Sequence, residues 1–479
     1  MNRCGHGYIL IALPLLLAGC ASMQMLDADP ALDPATVKLP ATFTLATDVT
    51  QADRSALENL LPVGDPAFQE LRRLALANGP TLAAAQARID SARARAAGAG
   101  ANRKPNIGTD AGVTGSRTNP DSFGVDLPAG INIDRYRTSF GANITANWDL
   151  DIFGGLQAAE RAARIRINAA TADAAATRLE LVSAIAANVT DWRTLDARES
   201  VLRADIGEAR DLVRLAEQRV RAGLAPGFDA VQAESLVAEA QGRIDALAAE
   251  RARIAGSLVA LTASDAATVM ASFTHGSAKD MGTALPASTP ADMLRARPDV
   301  AAAEARLAAA DTDIAVAARK RFPKLTLSGA LGLLTFALGD IFNADSIVGN
   351  LGAAVAVPLL DFGRIDAEID ERRAAARQAF ADYRGTVFGA LGDAEAAYGQ
   401  TRGARAELLA LDRQIALEKD AEYLASIRYR NGLADFSTVL NARRKLNSVR
   451  AGRALAAGRY ARAQIALWLA LGGSGFNGI

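Results

Sequence analysis

The sequence predicts an α+β chain built as two tandem repeats, each giving two membrane-crossing strands and a pair of very long coiled-coil helices. Three observations carry this reading. Long windows contain no proline, four stretches alternate apolar and polar residues, and one helix–turn–helix phrase occurs twice, 209 positions apart.

Composition narrows the function classes first. The chain has 53 basic and 53 acidic side chains, so no net charge draws it to nucleic acid. The two cysteines, Cys4 and Cys20, both fall in the first twenty residues, which leaves no disulfide framework for the rest. His6 and His275 are the only histidines, so neither a histidine triad nor a histidine-rich metal site is expected. Asp and Glu are plentiful, but beside Arg at helical spacing they read as solvated faces rather than paired catalytic carboxylates. No catalytic residue, metal site or cofactor is expected.

The first element is an address. Arg3 is followed by an apolar run from Tyr8 to Leu17 that is too short to span a bilayer and has the layout of a secretory signal. "LAGC", ending at Cys20, resembles a bacterial lipobox, which implies cleavage before Cys20 and acylation of it. Ala21 follows rather than Asp, which in that resemblance favours the outer membrane. Residues 1–19 are thus the expected signal and 20–66 a proline-punctuated extended tether. Beyond it no stretch reaches eighteen consecutive apolar residues, so a membrane crossing would have to be made by strands.

The helices come from the proline-free windows Leu156–Ala225, Gly227–Leu285, Gly363–Leu433 and Ala434–Ile479. A helix over Leu156–Arg221 would be roughly 100 Å long at 1.5 Å per residue. Leu202, Ile206, Ala209, Val213, Ala216, Val220 and Gly223 step by four and three. Leu408, Leu411, Ile415, Glu418, Glu422, Ala425, Tyr429 and Gly432 keep the same step with two polar lapses. That spacing predicts coiled-coil seams. Gly223 and Gly432 suit left-handed C-caps, and a second helix follows each within a few residues. "RVRAGLAPGFDAVQAESL" and "YRNGLADFSTVLNARRKL" are therefore two helical hairpin tips.

The strands lie between the helices. Tyr136, Thr138, Phe140, Ala142, Ile144, Ala146, Trp148 and Leu150 alternate with Arg137, Ser139, Gly141, Asn143, Thr145, Asn147 and Asp149. Segments around Ile107–Val113, Leu325–Leu333 and Ile347–Leu359 alternate likewise, with small or polar residues on the second face. Four strands cannot close a barrel, and open edges are not tolerated in a bilayer. Copies from other chains must supply the rest. Two chains would give eight strands with a side-chain-filled interior, and three would give twelve with a channel; the small inward residues favour three. "RKPNI" at Arg103 pairs with "RFPKL" at Arg321, and "DIFGG" at Asp151 with "LDFGR" at Leu360. The repeats are 67–285 and 286–479. The first hairpin carries the extra "NPDSFGVDLPAG", read as an outer loop.

"LAGC", "LRARPDV", "RFPKL", "VPLLDFGRI", "YRNGLADFSTVLNAR" and the terminal "ALGG" occur in an order that closely resembles the TolC/NodT-type outer-membrane factor family. The resemblance implies a homotrimer: a twelve-stranded barrel in the outer membrane continued by an α-helical coiled-coil barrel across the periplasm. It implies an exit duct of a tripartite efflux pump, with a periplasmic adaptor and an inner-membrane pump as partners, anchored in outer-membrane lipid. It also implies a periplasmic gate, in which Tyr429 bonds Asp229 and the neighbouring Arg430 can pair with a carboxylate. Thr438 and Asn441 stand where relatives often carry the carboxylates of the narrowest ring, and Ser437 where some carry a bulky apolar residue. Strong cation selectivity and a hydrophobic plug are therefore not expected. Two alternatives remain at this point: the exit duct of a type I protein secretion system, and a lipid-anchored periplasmic coiled-coil scaffold.

Overall fold

The computed structural model describes residues 32–46, 54–117, 119, 135–274, 276 and 288–473. The expected signal, Cys20 and all but the first residue of the expected outer loop lie outside the described residues. The elements run α1 (Pro66–Asn78), α2 (Pro80–Ala101), β1 (Asn106–Arg117), β2 (Tyr136–Asp149), α3 (Gly155–Arg221), α4 (Gly227–Thr262), α5 (Ala266–Ser272), α6 (Pro290–Ala296), α7 (Pro298–Arg319), β3 (Lys324–Thr335), β4 (Ile347–Ala356), α8 (Arg364–Arg430) and α9 (Phe436–Ala470). The order α2-β1-β2-α3-α4 recurs as α7-β3-β4-α8-α9. α3 and α8 each have 67 residues, and Arg364 starts α8 209 positions after Gly155 starts α3.

Proline opens four of these helices and interrupts none, because its missing N–H costs nothing at the first helical position. The two long helices start from carboxylate caps. Asp151 accepts from Leu156 N at 2.8 Å and Gln157 N at 2.7 Å, and Asp361 accepts from Gly363 N at 3.1 Å and Ile365 N at 3.0 Å. Each cap satisfies amide donors that have no partner inside the helix and sets negative charge at its positive end. That is the chemistry behind the paired "DIFGG" and "LDFGR" phrases.

The chain forms two compact units. Of the described residues, one unit comprises those up to Val37 with those in 92–167 and 305–381, and the other those in 38–91, 168–304 and 382–473. The first unit holds the sheet, in the order β1-β2-β3-β4, antiparallel throughout. Its register sets Ile144 opposite Thr109 and Leu331, Leu331 opposite Gly349, Trp148 opposite Leu327, and Leu325 opposite Val355. Side chains alternate faces, so the apolar set of all four strands shares one face, and Asp110, Asn143, Thr145, Ser328 and Asn350 share the other. Asn143 donates to Asp110 across that second face at 3.1 Å. The apolar face is bare: Ile107 is 68% exposed and Leu351 89%. In the same unit, Ile314, Ala317 and Ala318 of α7 pack on Ile365, Ile369 and Ala376 of α8. Phe153 stacks on Phe322 with centroids 5.0 Å apart, and Arg319 donates to Gly154 O at 2.9 Å.

The second unit is helical. Of the expected seams, Leu202, Ile206, Ala209 and Ala216 are buried on α3, as are Ala425 and Tyr429 on α8. Val213, Val220, Leu408, Leu411, Ile415, Glu418 and Glu422 are half-buried. Glu422, one of the two polar lapses, is the ion-pair partner of Arg443 on α9. Close helix approach is visible at Gly458 of α9, where any Cβ would stand 2.4 Å from Thr194 Oγ1 of α3.

The segment expected as an extended tether is docked where it is described. It makes short 3-10 turns at Pro34–Thr36 and Arg54–Leu60. Phe43 is buried against Tyr398, and Thr44 N and Leu45 N donate to the Glu395 carboxylate at 2.6 and 2.8 Å. Asp65 accepts from Arg193 of α3 at 2.7 and 3.0 Å in a buried pair. Apolar residues at Phe43, Leu57, Leu60 and Leu61 drive this docking, which proline spacing alone did not disclose.

Candidate functional site

Gly223 and Gly432 sit at φ +70° and +72°, in the left-handed region where a side chain is strained. Each closes its helix by the same pair of bonds. Gly223 N donates to Val220 O at 2.9 Å and Leu224 N to Arg219 O at 2.8 Å. Gly432 N donates to Tyr429 O at 3.0 Å and Leu433 N to Arg428 O at 2.8 Å. These are Schellman motifs, which satisfy the last carbonyls and turn the chain sharply. α4 and α9 then start at Gly227 and Phe436.

The two tips are packed together. Ala209, Leu212 and Ala216 of α3, Ala233 and Leu236 of α4, Ala425 and Tyr429 of α8, and Phe436, Val439 and Leu440 of α9 make one cluster. Tyr429 is 3% exposed, with its ring edge-on to Phe436 at 5.5 Å. Its hydroxyl donates to Asp229 Oδ2 at 3.4 Å, so the expected pair is brought together at a distance well beyond the usual O–H···O length. Burial, and then the Asp229 charge, push the Tyr429 hydroxyl above its ordinary pKa, so it stays a neutral donor.

The cation at this junction is Arg219, not Arg430. Arg219 donates to Tyr429 O at 2.6 Å, and its guanidinium lies 4.5 Å from the Tyr429 ring centroid. Arg430 is exposed and, among the described residues, makes no ion pair. The reason is rotation: one residue past Tyr429 on a helix turns the side chain about 100° away from the packed face. Ser437, Thr438 and Asn441 lie together on the exposed face of α9.

A second junction lies deeper, and sequence reasoning missed it. Arg443 of α9 bridges Glu208 of α3 and Glu422 of α8. Arg450 reaches Asp205 at 3.3 Å and Glu208 at 3.0 Å. Burial pushes the Asp205 carboxyl up to about 6, against the pull of Arg450. The only sequence signal for this cluster is the composition of α9, which carries many arginines and no acid of its own. Together the groups at both levels hold the first hairpin to the second through directed polar contacts around an apolar seam. Such a junction can keep two helical pairs together or release them.

The outer membrane efflux protein family model matches residues 71–264 and 289–473, one segment in each half. The pyoverdine export outer membrane protein OpmQ of Pseudomonas aeruginosa is 30% identical over 466 residues, covering 97% of this chain and 96% of that protein. Outer membrane protein OprJ of the same organism is 28% identical over 92% of this chain and 89% of its own length. The solved structure of the outer-membrane channel OprN superposes with a TM-score of 0.83 at 26% identity, covering 92% of this chain and 98% of that one. The chain belongs to the outer membrane efflux protein family.

Proposed function

We propose that three copies of this chain close one continuous duct and that the paired helix tips are its regulated periplasmic end. The chain is an outer-membrane exit duct of an efflux pump, a transport conduit and not an enzyme. The observation that carries the trimer is the sheet. It has a continuous exposed apolar face, and in one chain its two edge strands, β1 and β4, each have a free side. Unpaired backbone edges cost several kcal/mol per group in hydrocarbon, so the edges must pair with other copies. Three copies give twelve strands, wide enough for a water-filled lumen lined by the Asn, Thr, Ser and Gly face.

In this reading Cys20 carries the acyl anchor, and the helical pairs reach into the periplasm to meet an adaptor and an inner-membrane pump. The duct supplies no driving force; its partners do. Tyr429, Asp229 and Arg219 hold the second hairpin against the first at the narrow end, with Ser437, Thr438 and Asn441 facing the opening. Partner contact at the tips of Gly223 and Gly432 offsets these bonds and lets the second pair move.

The test is assembly. Detergent-solubilised protein should give the native mass of a trimer and form water-filled pores in planar bilayers. A stable, fully folded monomer with complete β-structure would overturn the reading.

A further inference from the structure

α9 holds seven arginine and lysine side chains and no aspartate or glutamate in its 35 residues, although the chain as a whole is neutral. Five of the seven have partners. Arg443 and Arg450 meet the carboxylates of the deeper junction. Arg453 pairs with Asp412 at 2.8 Å, Arg459 with Glu407 at 2.6 Å, and Arg462 with Asp191 at 2.7 Å. These ties to α3 and α8 account for most of the helix's basicity in structural terms.

Arg444 and Lys445 are left over. They are adjacent and exposed, and neither makes an ion pair or side-chain hydrogen bond among the described residues. Arg444 stands three residues and Lys445 four residues after Asn441, so both continue the exposed face that holds Thr438 and Asn441. At 1.5 Å per residue Arg444 is about 9 Å beyond Thr438 along the helix. The nearest exposed positions on that face, Asn441 and Ser448, are neutral. Nothing on this face of α9 neutralises the two cations.

We propose that Arg444 and Lys445 form a cationic collar just inside the narrow end of the duct and that it favours anionic over cationic solutes. The inference rests on the duct reading above, which turns this face of α9 to the lumen. Three copies place six positive charges around one opening, where low-dielectric walls focus their field on the passing solute. The favoured substrate class is organic anions, such as carboxylates and sulfonates.

The test is the reversal potential of the purified trimer in a planar bilayer under a potassium chloride gradient. The wild type should prefer chloride over potassium by roughly two- to fivefold at about 0.1 M salt and less at 1 M, where screening acts within about 3 Å. The Arg444→Ser, Lys445→Ser pair should bring the ratio to about one or below. Arg444→Glu with Lys445→Glu should invert it, while the exchange Arg444→Lys with Lys445→Arg should preserve it. A wild-type pore that prefers potassium, or a serine variant that keeps the chloride preference, would overturn the collar while leaving the duct intact. Failure to form any conducting trimer would instead overturn the duct reading itself.

Discussion

Asp205 is 3% exposed, and its carboxyl, pushed up to about 6 by burial, makes the deeper junction depend on pH between about 4 and 6. The folded pKa lies above the unfolded value of about 4, so the native state binds the extra proton between these limits. The group's contribution to stability is therefore full below about pH 4 and is lost as pH rises through about 6. Asp205→Asn cannot charge and leaves Arg450 its bond to Glu208. Thermal midpoints measured from pH 4 to 8 should show a variant less sensitive to pH than the wild type. At pH 7.5 it should gain at most about 3 kcal/mol, from 1.4 kcal/mol per pKa unit. Parallel pH curves for the two proteins would contradict this assignment. Beside Tyr429 the ranking of residues is equally testable. The 3.4 Å bond to Asp229 is long, whereas Arg219 combines a 2.6 Å hydrogen bond with a ring contact. Arg219→Ala should cost about 1–2 kcal/mol of stability and Tyr429→Phe under about 0.5, with Arg430→Ala neutral. Chemical denaturation of the three variants decides the order.

At the scale of elements, the tips and the close helix crossings carry the shape. Among the described residues, nothing beyond the adjoining backbone lies within 4 Å of a Cβ built at Gly223 or Gly432, so an alanine there meets only backbone strain. Each Gly→Ala change should cost about 1 kcal/mol, and proteolysis at the tips should quicken before the rest of the fold responds. Gly458→Leu differs in kind, because its side chain would have to displace Thr194 of α3 and should cost about 1–3 kcal/mol globally. These elements were legible in the sequence for physical reasons. Proline is barred from helix interiors, so its absence left room for α3 and α8, and the Asp–Gly phrases before them with Gly223 and Gly432 after them marked their ends. A one-residue slip would turn every strand inside out, so the alternation around Ile144 and Leu331 fixed which residues share a face. The site was less legible. Tyr429 and Asp229 could be paired only because the phrase recurs and resembles a known family. Arg219 and Arg221 both end α3, and only the packing of α8 decides that Arg219 turns inward. Glu208 and Arg443 are 235 positions apart, and no local pattern joins them.

For the whole molecule, the governing fact is that one chain cannot satisfy its own sheet. In the proposed trimer the bare apolar face meets the bilayer and the free edges pair with further copies, so insertion and assembly would be one event. The acyl anchor proposed at Cys20 is a separate attachment. Cys20→Ser should lose acyl labelling while retaining part of its export activity, because the barrel still holds the membrane; unchanged labelling would show that Cys20 is not the modified residue. The central claim is that the bonds between the two hairpins keep the narrow end of an assembled duct closed. Single-channel conductance of the wild type and of an Arg219→Ala, Asp229→Ala double variant tests it directly. The variant should show a several-fold rise in conductance, since in the proposed trimer three symmetry copies lose their bonds together and each kcal/mol shifts the closed-to-open ratio by about fivefold. An intact trimer with unchanged conductance would contradict it.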